Sequence, residues 1–182
     1  VELVPFKSAM ERDAALQSGN LDGAISDLLA VIFARSGGFA VHATSYTDGN
    51  YNLVAGGNSG IAASADLRGK EIAISRNTII EYVTDEILAV NGIEEQDVSK
   101  VVIPQIPVRL EMLQSENLAA AVLPEPMASV AVASGSHYVT GPGELDINPG
   151  VIVFADDSIR DKADSIRAMY RAYDKAVSYL NN

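Results

Sequence analysis

A phrase written twice places the tightest limit on how this chain can fold. Leu16 to Asp27 reads LQSGNLDGAISD, and Leu113 to Pro126 reads LQSENLAAAVLPEP. Counted from Arg12 and Arg109, the residues Arg, Leu, Gln, Ser, Asn, Leu and Ala recur in register at an offset of 97. Each copy reads as the end of a helix, a turn and a short strand. That period is too long for a solenoid repeat. Two α/β lobes joined by crossovers, each carrying one copy, satisfy it. The alternative is chance, because any helix that ends and runs into a strand can carry such a phrase.

The rest of the chain supports an α/β pattern. VELVPF at the start suits a strand. Ser8 then reads as an N-cap with Glu11 at the capping-box position, and Gly19 as the stop of that helix. LDGAIS is a strand, and Asp27 to Arg35 a helix closed by Gly37 and Gly38. FAVHATSY and YNLVAGG are strands around TDGN, a hairpin-type turn. Gly57 to Lys70 is a connection rich in small residues. A second set follows: strand KEIAIS, a helix ending on Gly92, strand VSKVVIP, a helix with Pro107 in its first turn, strand LAAAVLPEP, and a helix from Met127 to Gly135. Tyr138 to Gly150 is rich in Gly and Pro and is expected to return the chain to the first lobe. VIVFA is a strand, and Ser158 to Leu180 a long amphipathic helix. Strands separated by helices favour parallel pairing. Lobe one is therefore expected over 1–62 plus 145–182, and lobe two over 63–144.

Composition removes several functions. A net charge of −11, with 13 scattered Lys and Arg, is unsuited to nucleic acid. With 0 cysteines there is no disulfide, thiolate nucleophile or Cys-type zinc site. His42 and His137 are too few and too isolated for a metal site or a triad, and read as structural. No cofactor, metal or catalytic residue is called for. The longest apolar run, Leu28 to Ala34, is stopped by Arg35-Ser-Gly-Gly and is well short of a membrane span. VELVPF has neither the basic region nor the cleavage pattern of a signal peptide, so any such leader is expected to have been absent or already removed.

In open parallel sheets, ligands sit beyond the carboxyl ends of the strands. This points to three loops. Ser26 and Asp27 end one strand, and Glu125 stands between prolines at the end of another. Carboxylates from two facing lobes would suit amine, amidine or aminopyrimidine donors, whereas the plainer reading has Asp27 capping its helix. In the third loop, Ser75, Arg76, Asn77 and Thr78 precede a helix whose free amides attract a sulfonate, carboxylate or nitrate. Plain N-capping by Ser75 or Asn77 accounts for the same residues. Tyr82, one turn on, would cover a ring, line the interlobe surface or belong to the core. The loop lacks the glycines of a phosphate-binding P-loop.

These phrases resemble the periplasmic solute-binding proteins of ABC importers, in the branch serving nitrate, sulfonates, taurine and the thiamine pyrimidine precursor. The residues that carry the resemblance are Leu16, Gly19 and Asp22, then Asp66, Leu67, Gly69 and Lys70, then Glu125 with Pro126. The resemblance implies a two-lobed α/β fold of the type II periplasmic-binding-protein kind, with parallel-rich sheets flanked by helices. It also implies an interlobe cleft lined by the loops named above, hinge closure on a small polar solute, and presentation to a membrane ABC permease. An extracytoplasmic setting follows, periplasmic or as a cell-surface lipoprotein.

Two departures accompany it. Family members begin with a strand and helix before the equivalent of VELVPF, and continue past the equivalent of Leu180, so this chain resembles a truncated member with an incomplete first lobe. A missing central strand leaves an edge open to dimerisation or a loosely packed lobe. Alternative functions on the same fold are an enzyme of pyrimidine or menaquinone biosynthesis and a ligand-sensing domain.

Overall fold

The computed structural model describes residues 1–140, 145 and 148–181. Helix α1 (Ala9–Gln17) starts where the Ser8 hydroxyl accepts the Glu11 amide at 3.2 Å, and ends in a left-handed turn at Gly19, φ 76°. Strand β1 (Gly23–Asp27) leads into α2 (Leu28–Ser36), whose N-cap is Asp27. Strand β2 (Val41–Tyr46) follows, and then the chain changes sheets with β3 (Tyr51–Ala55). Next come β4 (Glu71–Ile74), α3 (Ile79–Val90), β5 (Ser99–Val102), α4 (Ile106–Gln114), β6 (Ala120–Pro124), α5 (Met127–Ala133) and the short β7 (His137–Tyr138). Strand β8 (Gly150–Ala155) returns to the first sheet, and α6 (Asp156–Asp161) and α7 (Ala163–Leu180) complete the described elements.

The repeated phrase is a structural repeat down to single hydrogen bonds. Helices α1 and α4, and strands β1 and β6, have the same bounds once 97 is added. After each helix an Asn amide reaches back five residues, Asn20 to the Ala15 carbonyl at 3.0 Å and Asn117 to the Met112 carbonyl at 2.9 Å. The same Asn side chains donate to Ser18 and Ser115 hydroxyls at 2.9 and 3.0 Å. The left-handed turn is kept even where glycine is not: Glu116 has φ 60° at the position of Gly19.

Sheet one has the order β1-β8-β2, and sheet two β5-β4-β6-β3-β7. Period-2 alternation sorts sheet two's residues to two covered faces. Leu53, Ile72, Ile74 and Val122 meet Ile80, Val83 and Ile87 of α3 on one side. Val54, Ala73, Ala121 and Leu123 meet Leu113, Ala128 and Ala131 of α4 and α5 on the other. Sheet one packs Val41, Val151 and Val153 against Leu16 and Ala34 of α1 and α2.

Five expectations are corrected. Val1–Phe6 forms no strand, and Val1, Leu3 and Val4 are exposed. Among the described residues its backbone pairs with no strand, and the outer edge of β1 is also unpaired. The residues TDGN make no hairpin. The Thr47 amide donates to Gly150 in sheet one at 2.9 Å, and the Asn50 carbonyl accepts from the Glu125 amide at 3.1 Å, so the segment bridges the two sheets. The change of lobe accordingly precedes β3, not residue 62. The expected return at 144–145 falls beside residues 141–144, outside those described. Parallel pairing holds for β5, β4 and β6, while sheet one is antiparallel because β8 enters between β1 and β2 from the other lobe. The last long helix is broken at Lys162, where φ −128° and ψ 25° leave the helical region.

Candidate ligand edge of the second sheet

The parallel strands β4 and β6 end on the same side of sheet two. Antiparallel β3 begins there, with Tyr51 opposite Pro124 and Asn52 opposite Leu123. One edge therefore gathers Ser75 after β4, Glu125 after β6, and Tyr51 and Asn52 at the start of β3. Buried polar atoms with no hydrogen-bond partner mark this edge. Among the described residues, the buried side-chain atoms without a hydrogen bond are Asn52 Oδ1, Ser75 Oγ, and Arg109 Nε and Nη2. Arg109 belongs to the same end, since its Nη1 donates to the carbonyl of Ile103, just past β5, at 3.1 Å. A buried polar atom left unpaired costs about 1–3 kcal/mol, so such a concentration in one place calls for a partner from outside.

Glu125 is exposed at the rim yet held firmly. Its Oε1 accepts from Asn52 Nδ2 at 3.0 Å and the Tyr138 hydroxyl at 3.1 Å. Its Oε2 accepts from the Ser129 amide at 3.1 Å and the Ser129 hydroxyl at 2.8 Å. The bond to Pro126 is cis. The result is a fixed carboxylate whose two oxygens accept from four donors.

The Ser75 loop is shaped by α3. Thr78 caps the helix, accepting the Ile80 amide at 3.2 Å and donating to the Ser75 carbonyl at 2.6 Å. Asn77 takes φ 56°, and its amide donates to Glu81 at 2.6 Å. This leaves the Ser75 hydroxyl buried and free. Arg76 is exposed and lies 3.8 Å from Glu81, and Tyr82 is exposed on the first turns of α3.

In lobe one, Asp27 is buried and doubly used. Oδ1 accepts the Ala30 amide at 2.8 Å, and Oδ2 lies 3.5 Å from Arg12 Nη2. Burial raises its pKa, against the lowering effects of the Ala30 amide and Arg12. Ser26 is buried too, facing the packing of α1 and α2 beside Leu16, Ala30 and Val31. Tyr51 links the lobes: burial pushes its phenol up to about 12, with the Asp27 charge adding to the rise and Arg12 opposing it. Burial likewise lowers Arg109 to about 10, so it remains a cation at neutral pH.

Of the residues singled out in the sequence, the structure brings Ser75 and Glu125 to one edge, with Thr78 ordering the loop. Asp27 lies near Tyr51 but is occupied by the Ala30 amide and Arg12, while Ser26 turns into the lobe-one core and Arg76 and Tyr82 to the surface. Asn52, Tyr138 and Arg109 were missed. Asn52 sits inside an apolar strand run. Arg109 could have been found from the repeat, as the one Arg of the pair with no acid beside it. Both histidines are engaged elsewhere, His42 with Asp156 at 3.0 Å and His137 with the Ile61 carbonyl.

The NMT1/THI5-like family model matches residues 1–182. The chain belongs to the NMT1/THI5-like family. No curated protein matches it by sequence. Solved structures share the fold. The alkanesulfonate-binding protein SsuA from Xanthomonas axonopodis pv. citri, bound to MOPS, aligns at 16% identity over 91% of this chain and 58% of its own, TM-score 0.77. The periplasmic aliphatic sulphonate-binding protein SsuA of Escherichia coli aligns at 18% identity over 94% and 60%, TM-score 0.71. An ABC transporter periplasmic binding protein from Brucella ovis, with glutathione bound, aligns at 17% over 86% and 49%, TM-score 0.64. The chain thus spans 49% to 60% of the length of these structures.

Proposed function

We propose that this chain is the body of an extracytoplasmic solute-binding component of an ABC importer, holding a small polar solute between its lobes and performing no chemistry on it. The observation that carries the reading is the gathering of unpartnered buried polar atoms at Asn52, Ser75 and Arg109 on one edge, beside the fixed Glu125 carboxylate. Hydroxyl, amide oxygen, carboxylate and guanidinium suit a solute with both hydrogen-bond donors and an acidic group, of the sulfonate, nitrate or aminopyrimidine kinds. Tyr51 stands on the same edge at the start of β3, Asp27 is the lobe-one carboxylate nearest to it, and Thr78 and Asn77 shape the Ser75 loop.

Two crossovers provide the hinge. Residues 47–50 and the approach to Gly150 touch where a Cβ on Gly150 would lie 2.4 Å from Thr47 Oγ1 and 3.1 Å from Gly49 Cα. Closure about this point would bury the solute and present the closed form to a membrane permease. The histidines contact Asp156 and Ile61 instead of the edge, which favours binding over acid–base catalysis. The unpaired outer edge of β1, with Ile25 exposed on it, favours a second chain pairing there.

A thermal-shift screen of sulfonates, nitrate, aminopyrimidines and aromatic acids tests the reading. One class should raise the melting temperature, and Glu125→Gln should weaken that solute at least tenfold. No response from any class, with the protein folded, would sink it.

A further inference from the structure

The two copies of the repeat treat the same arginine in opposite ways. Arg12 keeps its Nε and Nη2 face filled by acids: Nε and Nη2 each lie 2.8 Å from Asp13 Oδ1, and Nη2 lies 3.5 Å from Asp27 Oδ2. Adding 97 turns Arg12 into Arg109, Asp13 into Leu110 and Asp27 into Pro124. Both carboxylates are gone, and the arginine is retained. It is also more deeply placed, with no exposed surface against 17% for the Arg12 side chain. Its Nη1 is satisfied by the Ile103 carbonyl at 3.1 Å, while Nε and Nη2 have no partner.

Those two nitrogens are the side-on fork of the guanidinium, whose parallel N–H bonds match two oxygens of one oxyanion. Burial lowers the Arg109 pKa, yet at about 10 it leaves the group charged at neutral pH. A buried cation with no counter-ion is strongly disfavoured, so the fork needs an anion that the described residues do not supply.

We propose that Arg109 is a dedicated oxyanion site, its Nε–Nη2 fork taking two oxygens of a sulfonate, carboxylate or small inorganic oxyanion enclosed at the end of β5. In the first copy Asp13 and Asp27 fill the corresponding fork from within the protein. Pro124 stands where Asp27 stands in the first copy, so that acid is not repeated beside the second fork. The occupant is either a free ion or the acidic end of the solute, and the chemistry is the same.

Sulfate titration at ionic strength matched with chloride tests this without any solute. The melting temperature should rise with sulfate in the wild type, and Arg109→Leu should abolish the rise. Arg109→Lys, which keeps the charge without the fork, should weaken sulfate at least tenfold. Pro124→Asp, which restores the first copy's acid, should remove the sulfate response because the fork is already occupied. In the wild type, the Arg109 Nε–H resonance should shift and saturate with sulfate, a readout that stands even where a variant fails to fold. An Nε–H signal that sulfate does not move, or an unchanged sulfate response in Arg109→Leu, would overturn the proposal. Repeating the titration with methanesulfonate and with larger sulfonates separates a free ion from a solute's acid end. Since inorganic sulfate is read alone, failure to find a solute leaves the anion site standing, and loss of the sulfate response leaves the Glu125 reading standing.

Discussion

Replacing Asp27 by Asn isolates what this buried carboxylate does for the fold. Three contributions change. The N-cap is kept, since Asn caps as well as Asp, so the Ala30 amide remains satisfied. The contact with Arg12 is lost, but it is a long one at 3.5 Å, and Arg12 retains Asp13 at 2.8 Å. That loss is worth about 1 kcal/mol, below the ~3–5 kcal/mol seen when a buried charge is stranded. Against it stands relief from desolvating a carboxylate whose side chain is 2% exposed, a cost of several kcal/mol per ion. The raised pKa says which wins: burial outweighs the Ala30 amide and Arg12. Asp27→Asn is therefore expected to be neutral or stabilising by up to about 2 kcal/mol at pH 7, while Asp27→Ala loses the cap and costs about 1–2 kcal/mol. The pH dependence has a definite sign. With the folded pKa above the ordinary carboxylate value of 3.8, the contribution of Asp27 to stability is fully present below that value and is lost as pH rises through the folded pKa. The advantage of the Asn variant should thus grow on going from pH 3.8 upward and then level off. Urea denaturation of the three proteins between pH 3.5 and 7 would read it. A cost above about 2 kcal/mol for Asp27→Asn at pH 7, or an advantage that shrinks with rising pH, would show that the Arg12 contact outweighs the desolvation of the carboxylate.

Other perturbations probe the scaffold. Gly150→Ala should destabilise by about 1–3 kcal/mol and slow lobe closure, because the new Cβ meets Thr47 Oγ1 at 2.4 Å; denaturation with small-angle scattering reads both. Glu116→Gly removes a left-handed non-glycine costing about 1–2 kcal/mol and gives up an exposed hydrogen bond from Asn58, so a net gain near 0.5–1 kcal/mol is expected. Its mirror, Gly19→Ala, should lose about 1 kcal/mol at φ 76°. Lys100 has a 6% exposed side chain between Asp85 and Glu95 at 2.5 and 2.8 Å. Lys100→Ala should cost about 1–3 kcal/mol, and adding salt to 0.5 M should shrink the difference only slightly.

Local signals were legible and long-range ones were not. The Ser8 and Asp27 caps, the Gly19, Gly38 and Gly92 stops and the repeated helix–turn–strand all depend on contacts within a few residues, and all are in the structure. TDGN carries a hairpin's local chemistry, but its end residues Thr47 and Asn50 bond to opposite sheets. Nothing within the turn encodes that. The candidate edge divides the same way. Ser75 and Glu125 follow strands that run parallel, so the carboxyl-end rule finds them. Asn52 lies at the opposite end of its own strand and reaches the edge because β3 is antiparallel to β6, a pairing that hydrophobic patterning does not specify. Arg109 reads as a charged residue on a helix, and its burial follows from the packing of α4 on β6 and α5.

Ser75→Ala separates a solute-binding role for the unpartnered groups at the edge of sheet two from a scaffold role. The Ser75 hydroxyl is buried with no hydrogen bond, so its removal should leave the free protein as stable as before or slightly more so. A solute that uses it should lose about 0.5–1.5 kcal/mol, roughly two- to tenfold in affinity. Calorimetric titration of the solute alongside thermal denaturation of the free protein measures the pair. Unchanged or raised stability with weakened binding is the predicted result. A clear loss of stability with binding untouched would contradict the solute-binding role and make Ser75 a part of the scaffold.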